Sequence, residues 1–443
     1  MRRQSTMRLD LNERRVRIIS ALQTSLFKTS GYIMASTTVS GGLGFIYWTV
    51  IARVSSPRDV GIATAIVAAF TLTSLLTSFG IAQLMIQVLP SIHDDESWSA
   101  FVTVGLATIT LLTTCIGIIV GLLLPFLSPT LGVLRHPEMF ALFVIGASAS
   151  TTAIGLDAVF VASRRSSKML QRNLAYGLSK GLLLIAVVPL AVLVDSTAIL
   201  TTWDAGLIIS LVLGTRYLMP RVRPGSHFSF RGGVWPVLRW WRSMTGHQIA
   251  NLGGVLVPFV LPILVVIRTS ARVNAFFYLT WSVGAIFFMV SPAISTALFA
   301  EGSHGESIAD NVKRSARLIT LILGPAILVT CLFSYRILLI FGLKYAEHGS
   351  TLLRLLAFAA IPDAITNIAV SVLRVRSRLP TAALLNVFMA GTAFGLSWIL
   401  LPHFGVLAPG IAWTVGQSAG TVAVGAGLLQ RRYHQARVIR KSN

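Results

Sequence analysis

Apolar residues run through the chain in uninterrupted stretches of about 20, the length an α-helix needs to cross a hydrocarbon core of about 30 Å. Short polar and basic connections separate them. The pattern predicts spans at about 29–52, 60–89, 99–125, 139–162, 174–194, 198–218, 248–267, 273–300, 316–340, 350–371, 381–401 and 405–429. Inside lipid every backbone N–H and C=O must be satisfied by the chain itself, so runs of this length form helices. A transmembrane barrel would instead show short alternating segments, and none is visible. Only Asp195, Ser196 and Thr197 separate the fifth and sixth spans.

Composition agrees with the pattern. Hydrophobic residues make up 54% of the 443 and charged residues 12%, about half of what the solvated surface of a soluble domain requires. The first apolar run lacks a small-residue cleavage site and is read as a retained helix. Cys115 and Cys331 lie in separate apolar runs and read as small core residues, with neither a disulfide framework nor metal spacing.

A net charge of +22 raises the question of nucleic acid, but the placement of the charges answers it. With the N-terminus inside, 28 of the 37 Lys and Arg fall on the cytoplasmic side. Six fall outside (Arg53, Arg58, Arg135, Arg268, Arg272 and Lys344), and Lys180, Arg336 and Arg354 lie within spans. Arg172 is counted here with the cytoplasmic connection after the fourth span. This is the bias that orients membrane helices and meets anionic head groups. It places both termini in the cytoplasm and argues against nucleic acid as a partner. One inner loop, Ser91–Trp98, carries Asp94, Asp95 and Glu96 and no cation; acids weigh little in the rule.

The predicted organisation is a basic tail (1–28), a six-helix bundle (29–218), a linker (219–247), a second six-helix bundle (248–429) and a basic tail (430–443). The linker mixes Trp with Arg from Phe230 to Arg242, which predicts a short interfacial helix. The bundles echo each other: Gly41-Gly42 pairs with Gly253-Gly254, and Arg164–Lys168 pairs with Arg374–Arg378, at offsets of 212 and 210. Because six is even, both halves run the same way, and their pseudo-two-fold axis lies along the membrane normal. The fold class expected is an all-α integral membrane protein of about twelve spans in two six-helix bundles.

Several stretches resemble one family. They include Ser40-Gly41-Gly42-Leu43-Gly44-Phe45, Ala52-Arg53-Val54-Ser55-Ser56-Pro57-Arg58-Asp59-Val60-Gly61 and Ser78-Phe79-Gly80-Ile81-Ala82-Gln83. In the second half come Phe341-Gly342-Leu343-Lys344-Tyr345-Ala346, Leu352-Leu353-Arg354-Leu355-Leu356-Ala357 and Pro402-His403-Phe404-Gly405-Val406-Leu407-Ala408-Pro409-Gly410. In this order they are similar to the polysaccharide transporters, the O-antigen flippase-like branch of the multidrug/oligosaccharidyl-lipid/polysaccharide superfamily. The resemblance implies a cavity between the halves and alternating access for a polyprenyl-diphosphate oligosaccharide. Many members have fourteen spans; twelve here sets the chain apart from lipid II flippases, whose extra helices line a lipid groove. Glycan polymerases or glycosyltransferases are the protein partners that this role implies, beside the lipid-linked oligosaccharide and membrane lipids.

Moving such a lipid needs no bond chemistry and no cofactor, only a polar path with fixed cations for an anionic diphosphate. Lys180, Arg53, Arg268 and Arg354 are the candidate contacts. Lys180 is equally compatible with snorkelling to the membrane edge, and Arg53 and Arg268 with structural pairing at equivalent ends of the first and seventh spans. Asp157, Asp204 and Asp363 are the intramembrane acids. Each could exchange a coupling proton or sodium ion, or serve as an interhelical bond; Asp157 could also pair with Lys180, and it falls opposite Asn367 at the offset of 210. Pro362 is expected to break the tenth helix beside Asp363. Gln83, Gln87, Asn251, Asn386 and Gln417 add groups for sugar hydroxyls or for helix contacts. Drug or cation antiport is the alternative transport reading. A membrane glycosyltransferase or polymerase fits less well, since the outer loops are short, the longest (126–138) has Glu138 as its one acid, and no Walker sequence is present.

Overall fold

The computed structural model describes residues 29–190, 194–230, 256–303 and 308–442. The N-terminal tail, Asn251 and most of the linker, with its expected interfacial helix, lie outside these residues. Twelve α-helices carry the rest: α1 (29–54), α2 (Pro57–Val88), α3 (Asp95–Leu127), α4 (Pro137–Ala162), α5 (Ser166–Val187), α6 (Ser196–Val212), α7 (Leu256–Arg268), α8 (Ala271–Ser303), α9 (Ile308–Leu338), α10 (Leu343–Val375), α11 (Leu379–Phe404) and α12 (Ala408–Ser442). A π-helical turn, Leu213–Leu218, carries α6 on into Met219–Val222. Eight stretches are long and apolar enough to cross a membrane, the last running through α11 into α12. α5 is not among them because Lys168, Arg172 and Lys180 lie on it, although the last two are buried. The chain is an all-helical integral membrane protein.

Side chains fix where helices start, since the first N–H groups of a helix have no partner within it. Ser56 caps α2 by accepting from the Asp59 N–H, with Pro57 in the first turn. Asp195 accepts from the Ala198 N–H at 2.8 Å and so starts α6, which separates the fifth and sixth spans where the sequence leaves only three polar residues. Asp94 caps α3 through the Ser97 N–H at 2.7 Å, and that bond holds its carboxyl below the usual carboxylate range.

Burial sorts the helices into inner and outer. The apolar window of α2 is 78% buried, against 33% for α3 and 22% for α9. The outer pair presents Leu111, Ile119 and Phe126 on α3 and Leu321, Leu328 and Leu332 on α9. Broad apolar faces of this kind meet lipid.

Packing in the first six helices repeats in the second six. α2 packs on α4, α3 on α4, α4 on α6 and α5 on α6; then α8 on α10, α9 on α10, α10 on α12 and α11 on α12. The halves meet chiefly through α2 and α8. There Asn274 Nδ2 donates to Thr64 Oγ1 at 3.0 Å, a partner 210 positions away. Gly61 lies against Ala271, also 210 positions on. Residues equivalent in two halves touch each other only where a two-fold axis passes between them.

The basic turns after α4 and α10 are alike in geometry. Ser163, Arg164 and Arg165 donate to the carbonyls of Val159, Val161 and Phe160; Arg376, Ser377 and Arg378 donate to those of Val372, Arg374 and Leu373. Arg164 (φ 54°) and Ser377 (φ 55°) both take the left-handed conformation that such a helix end requires. The match runs from position 163 to position 376, so the offset here is 213 and not 210. Asp157 therefore falls opposite Val370 instead of Asn367, which corrects the pairing expected from sequence. α10 also stays helical through Pro362, contrary to the expected break.

Candidate functional site

The first half has a polar core. Arg172 on α5 reaches Asp157 on α4 with two parallel bonds of 2.7 Å, Nε to Oδ1 and Nη2 to Oδ2. Its remaining donors go to Ser210 on α6 and to Asn173, and Asn173 Nδ2 reaches Ser36 on α1. Arg172 is 3% exposed, so it is no loop cation, and it takes the partner that the sequence offered to Lys180.

Lys180 lies two turns further along α5 and is buried. Its ammonium sits 3.8 Å from the ring centre of Trp203, 4.4 Å from Tyr176 and 4.8 Å from Tyr47. No carboxylate lies within ion-pair distance among the described residues. Three π faces replace the missing anion, and a desolvated contact of this kind contributes about 2 kcal/mol. Snorkelling to the membrane edge is excluded here. On α6, Asp204 is 2% exposed, and neither carboxylate oxygen has a hydrogen-bond partner. It faces α4 at Gly146, where a Cβ would stand 2.8 Å from Oδ1; only a glycine admits the acid there.

The second half encloses the cavity. It measures about 670 Å³ and is bounded by α7, α8, α10, α11 and α12, with Gln83 of α2 contributed by the other half. Asp363 lies in its wall, and Asn367 one turn on donates to Asp363 Oδ2 at 3.0 Å. Thr366 donates to Gln417 Oε1 at 2.7 Å, joining α10 to α12. Trp281, Trp413 and Phe288 form an aromatic side, with ring centres 5.5–5.8 Å apart. The cavity extends toward the ends at which α2 and α10 finish, where Gln83, Ser371 and Arg374 lie.

The opposite end is closed. Arg53 donates to the Ile340 and Leu339 carbonyls at 2.8 and 2.6 Å. It thus caps the negative C-terminal end of α9 from across the interface. Phe45 meets Phe341, and Trp48 meets Tyr278. Arg268 does not share this role: its guanidinium stacks 4.6 Å from the Trp398 ring. Arg354 Nε donates to Ser334 on α9 and lies outside the cavity wall. Four expected cations therefore occupy four separate places, and none lines the cavity.

Of the expected site residues, Asp363, Gln83, Asn386 and Gln417 come together; Gln87 does not. The sequence reading missed Trp281 and Trp413, because an aromatic residue in an apolar run carries no sign of which face it takes. Among the described residues no group of three His, Cys, Asp or Glu could hold a metal ion.

No protein-family model matches the sequence, and no curated protein does. Solved structures do share the fold. A lipid II flippase, MurJ, in an inward closed conformation aligns with a TM-score of 0.68 over 90% of this chain and 87% of its own, at 14% identity. A multidrug resistance MATE family transporter of the MOP superfamily, inward-facing, aligns at 0.63 over 94% and 96%, at 12% identity. A MOP superfamily transporter from Pyrococcus furiosus aligns at 0.58 over 93% and 95%, also at 12%. The chain shares the fold of these transporters.

Proposed function

We propose that the chain is an alternating-access flippase. It carries a polyprenyl-diphosphate-linked oligosaccharide from the cytoplasmic to the outer leaflet of the cell membrane, for surface polysaccharide synthesis. The observation that carries this reading is the cavity, which lies in the second half with Gln83 of the first half in its wall and is closed at one end by the contact between the halves. With both termini in the cytoplasm, as the charge bias implies, the cavity opens inward and Arg53, Thr64 and Asn274 close the outer side. Separation of the halves at that contact, with closure at the other end, would expose the cavity outward. Among the acids, Asp157 is committed to Arg172, which leaves Asp204 and Asp363 as carriers for a coupling proton or sodium ion.

Asp363 in the cavity wall favours a second reading, antiport of an organic cation, and the likeness to a multidrug transporter agrees with it. Deleting the gene separates the two. The flippase reading expects lipid-linked glycan stranded on the cytoplasmic leaflet and a loss of surface glycan, restored by the plasmid-borne gene. Normal surface glycan together with new sensitivity to cationic dyes favours the antiporter.

A further inference from the structure

We propose that the cavity of the second half is a glycan-binding site. Trp281 and Trp413 form its platform, and side-chain amides read the sugar hydroxyls. This inference rests on the flippase reading and says where that substrate's sugar would sit.

A pyranose ring has an apolar face of C–H groups and a rim of hydroxyls, each both donor and acceptor. An aromatic face carries negative charge above the ring and attracts C–H groups. The indoles of Trp281 and Trp413 pack edge to face, centres 5.8 Å apart at 79°, and both residues line the cavity, so the apolar face of a sugar has aromatic carbon to lie against. Around them stand four planar amides, Gln83, Asn367, Asn386 and Gln417. An amide presents a donor and an acceptor side by side, which matches neighbouring hydroxyls; Asn367 spends its Nδ2 donors on the Asp363 backbone and side chain and offers its carbonyl oxygen. Thr366 occupies the carbonyl oxygen of Gln417 and so leaves its amide nitrogen as the group offered to a ligand.

A second observation points to a ligand independently. The Trp281 and Trp413 Nε1–H donors and Ser295 Oγ are buried and have no hydrogen-bond partner. All three residues line the cavity. Buried polar groups are almost always paired; these three lie just behind the cavity surface, so an acceptor-rich guest reaches them by a turn of the side chain about its own bonds. A purely aromatic cation such as tetraphenylphosphonium has no acceptors to give them, whereas every hydroxyl of a sugar is one. The volume of about 670 Å³ falls within the range of roughly 300–1,000 Å³ typical of small-molecule sites.

Met289 lines the cavity and is 55% exposed, so it serves as the reporter. In purified full-length protein lacking Cys115 and Cys331, maleimide labelling of M289C is followed with three kinds of probe. These are farnesyl diphosphate carrying a disaccharide (ending in glucose, galactose or N-acetylglucosamine), farnesyl diphosphate alone, and each free disaccharide. At least one glycosylated compound is expected to slow labelling by about fivefold or more. Farnesyl diphosphate alone leaves the rate unchanged. W413L abolishes the protection, and W413F, which keeps a ring but loses the N–H, retains part of it. Equal protection by the sugar-free diphosphate, or none by any glycosylated compound, overturns the site. Protection here with normal surface glycan in the deletion strain would sink the flippase reading and leave the site standing; lost surface glycan without protection would do the reverse.

Discussion

Arg172→Met is expected to lower stability by about 3 kcal/mol, the lower end of the cost of breaking a buried ion pair, since Asp157 is 18% exposed and keeps the bond from Asn173. The substitution preserves the stem of the side chain but removes two bonds of 2.7 Å to Asp157 and the bonds to Ser210 and Asn173. Those bonds tie α5 to α4 and α6, so the loss spreads over half a bundle. Chemical or thermal unfolding of the purified protein, followed by far-UV circular dichroism, reads the effect. Asp157→Asn should cost less, since a neutral amide needs no counter-charge. The double variant R172M/D157L should recover most of the loss, because a buried ion pair and a well-packed apolar pair of similar volume are nearly equivalent. A single variant as stable as wild type would mean that water reaches the pair. A double variant no better than the single would assign the loss to packing instead of charge.

How far the sequence discloses this core depends on the range of each interaction. Tyr176 and Lys180 are four residues apart on one helix, so their contact follows from helical geometry. The other two rings of the box come from α1 and α6, and only the folded bundle brings them in. Arg172 shows the opposite failure. It lies close enough to the basic turn at Arg164–Lys168 that a count of loop charges absorbs it, although it belongs one turn into the bundle. The repeat was legible because duplication preserves register over long helices, and the offset of 210 is the very spacing of Thr64 and Asn274 at the axis. It misled at Asp157, since three further positions enter before the end of α10, and one helical turn moves a residue to a different neighbour. Charge alone could not find the cavity. Beside Asp363 and Arg374 its walls are amides, hydroxyls and indoles scattered through apolar runs, and the four cations singled out in the sequence serve instead to join helices and halves.

Gly61→Ala is expected to abolish transport while leaving the protein inserted and abundant. A Cβ at Gly61 would stand 1.7 Å from the Ala271 carbonyl oxygen and 2.4 Å from its carbon. Both are backbone atoms of α8, so no change of rotamer relieves the overlap. The halves must move apart at this end, which stretches the bonds from Asn274 Nδ2 to Gly61 O (2.9 Å) and to Thr64 Oγ1 (3.0 Å). Each half keeps its own core, since α2 still packs on α4 and α8 on α10, and so stability should change much less than transport. Surface glycan per unit of membrane-inserted protein is the measurement, with a drop of at least about tenfold expected, as for a conformational shift of 1.4 kcal/mol or more. Gly42→Ala is the control. It lies in the glycine-rich stretch that first drew attention in the sequence, but a Cβ there meets nothing within 4 Å, and its transport should match wild type. Should G61A complement fully, the α2–α8 contact is not part of the cycle. Should G42A fail as well, glycine in these helices matters for a reason other than close approach.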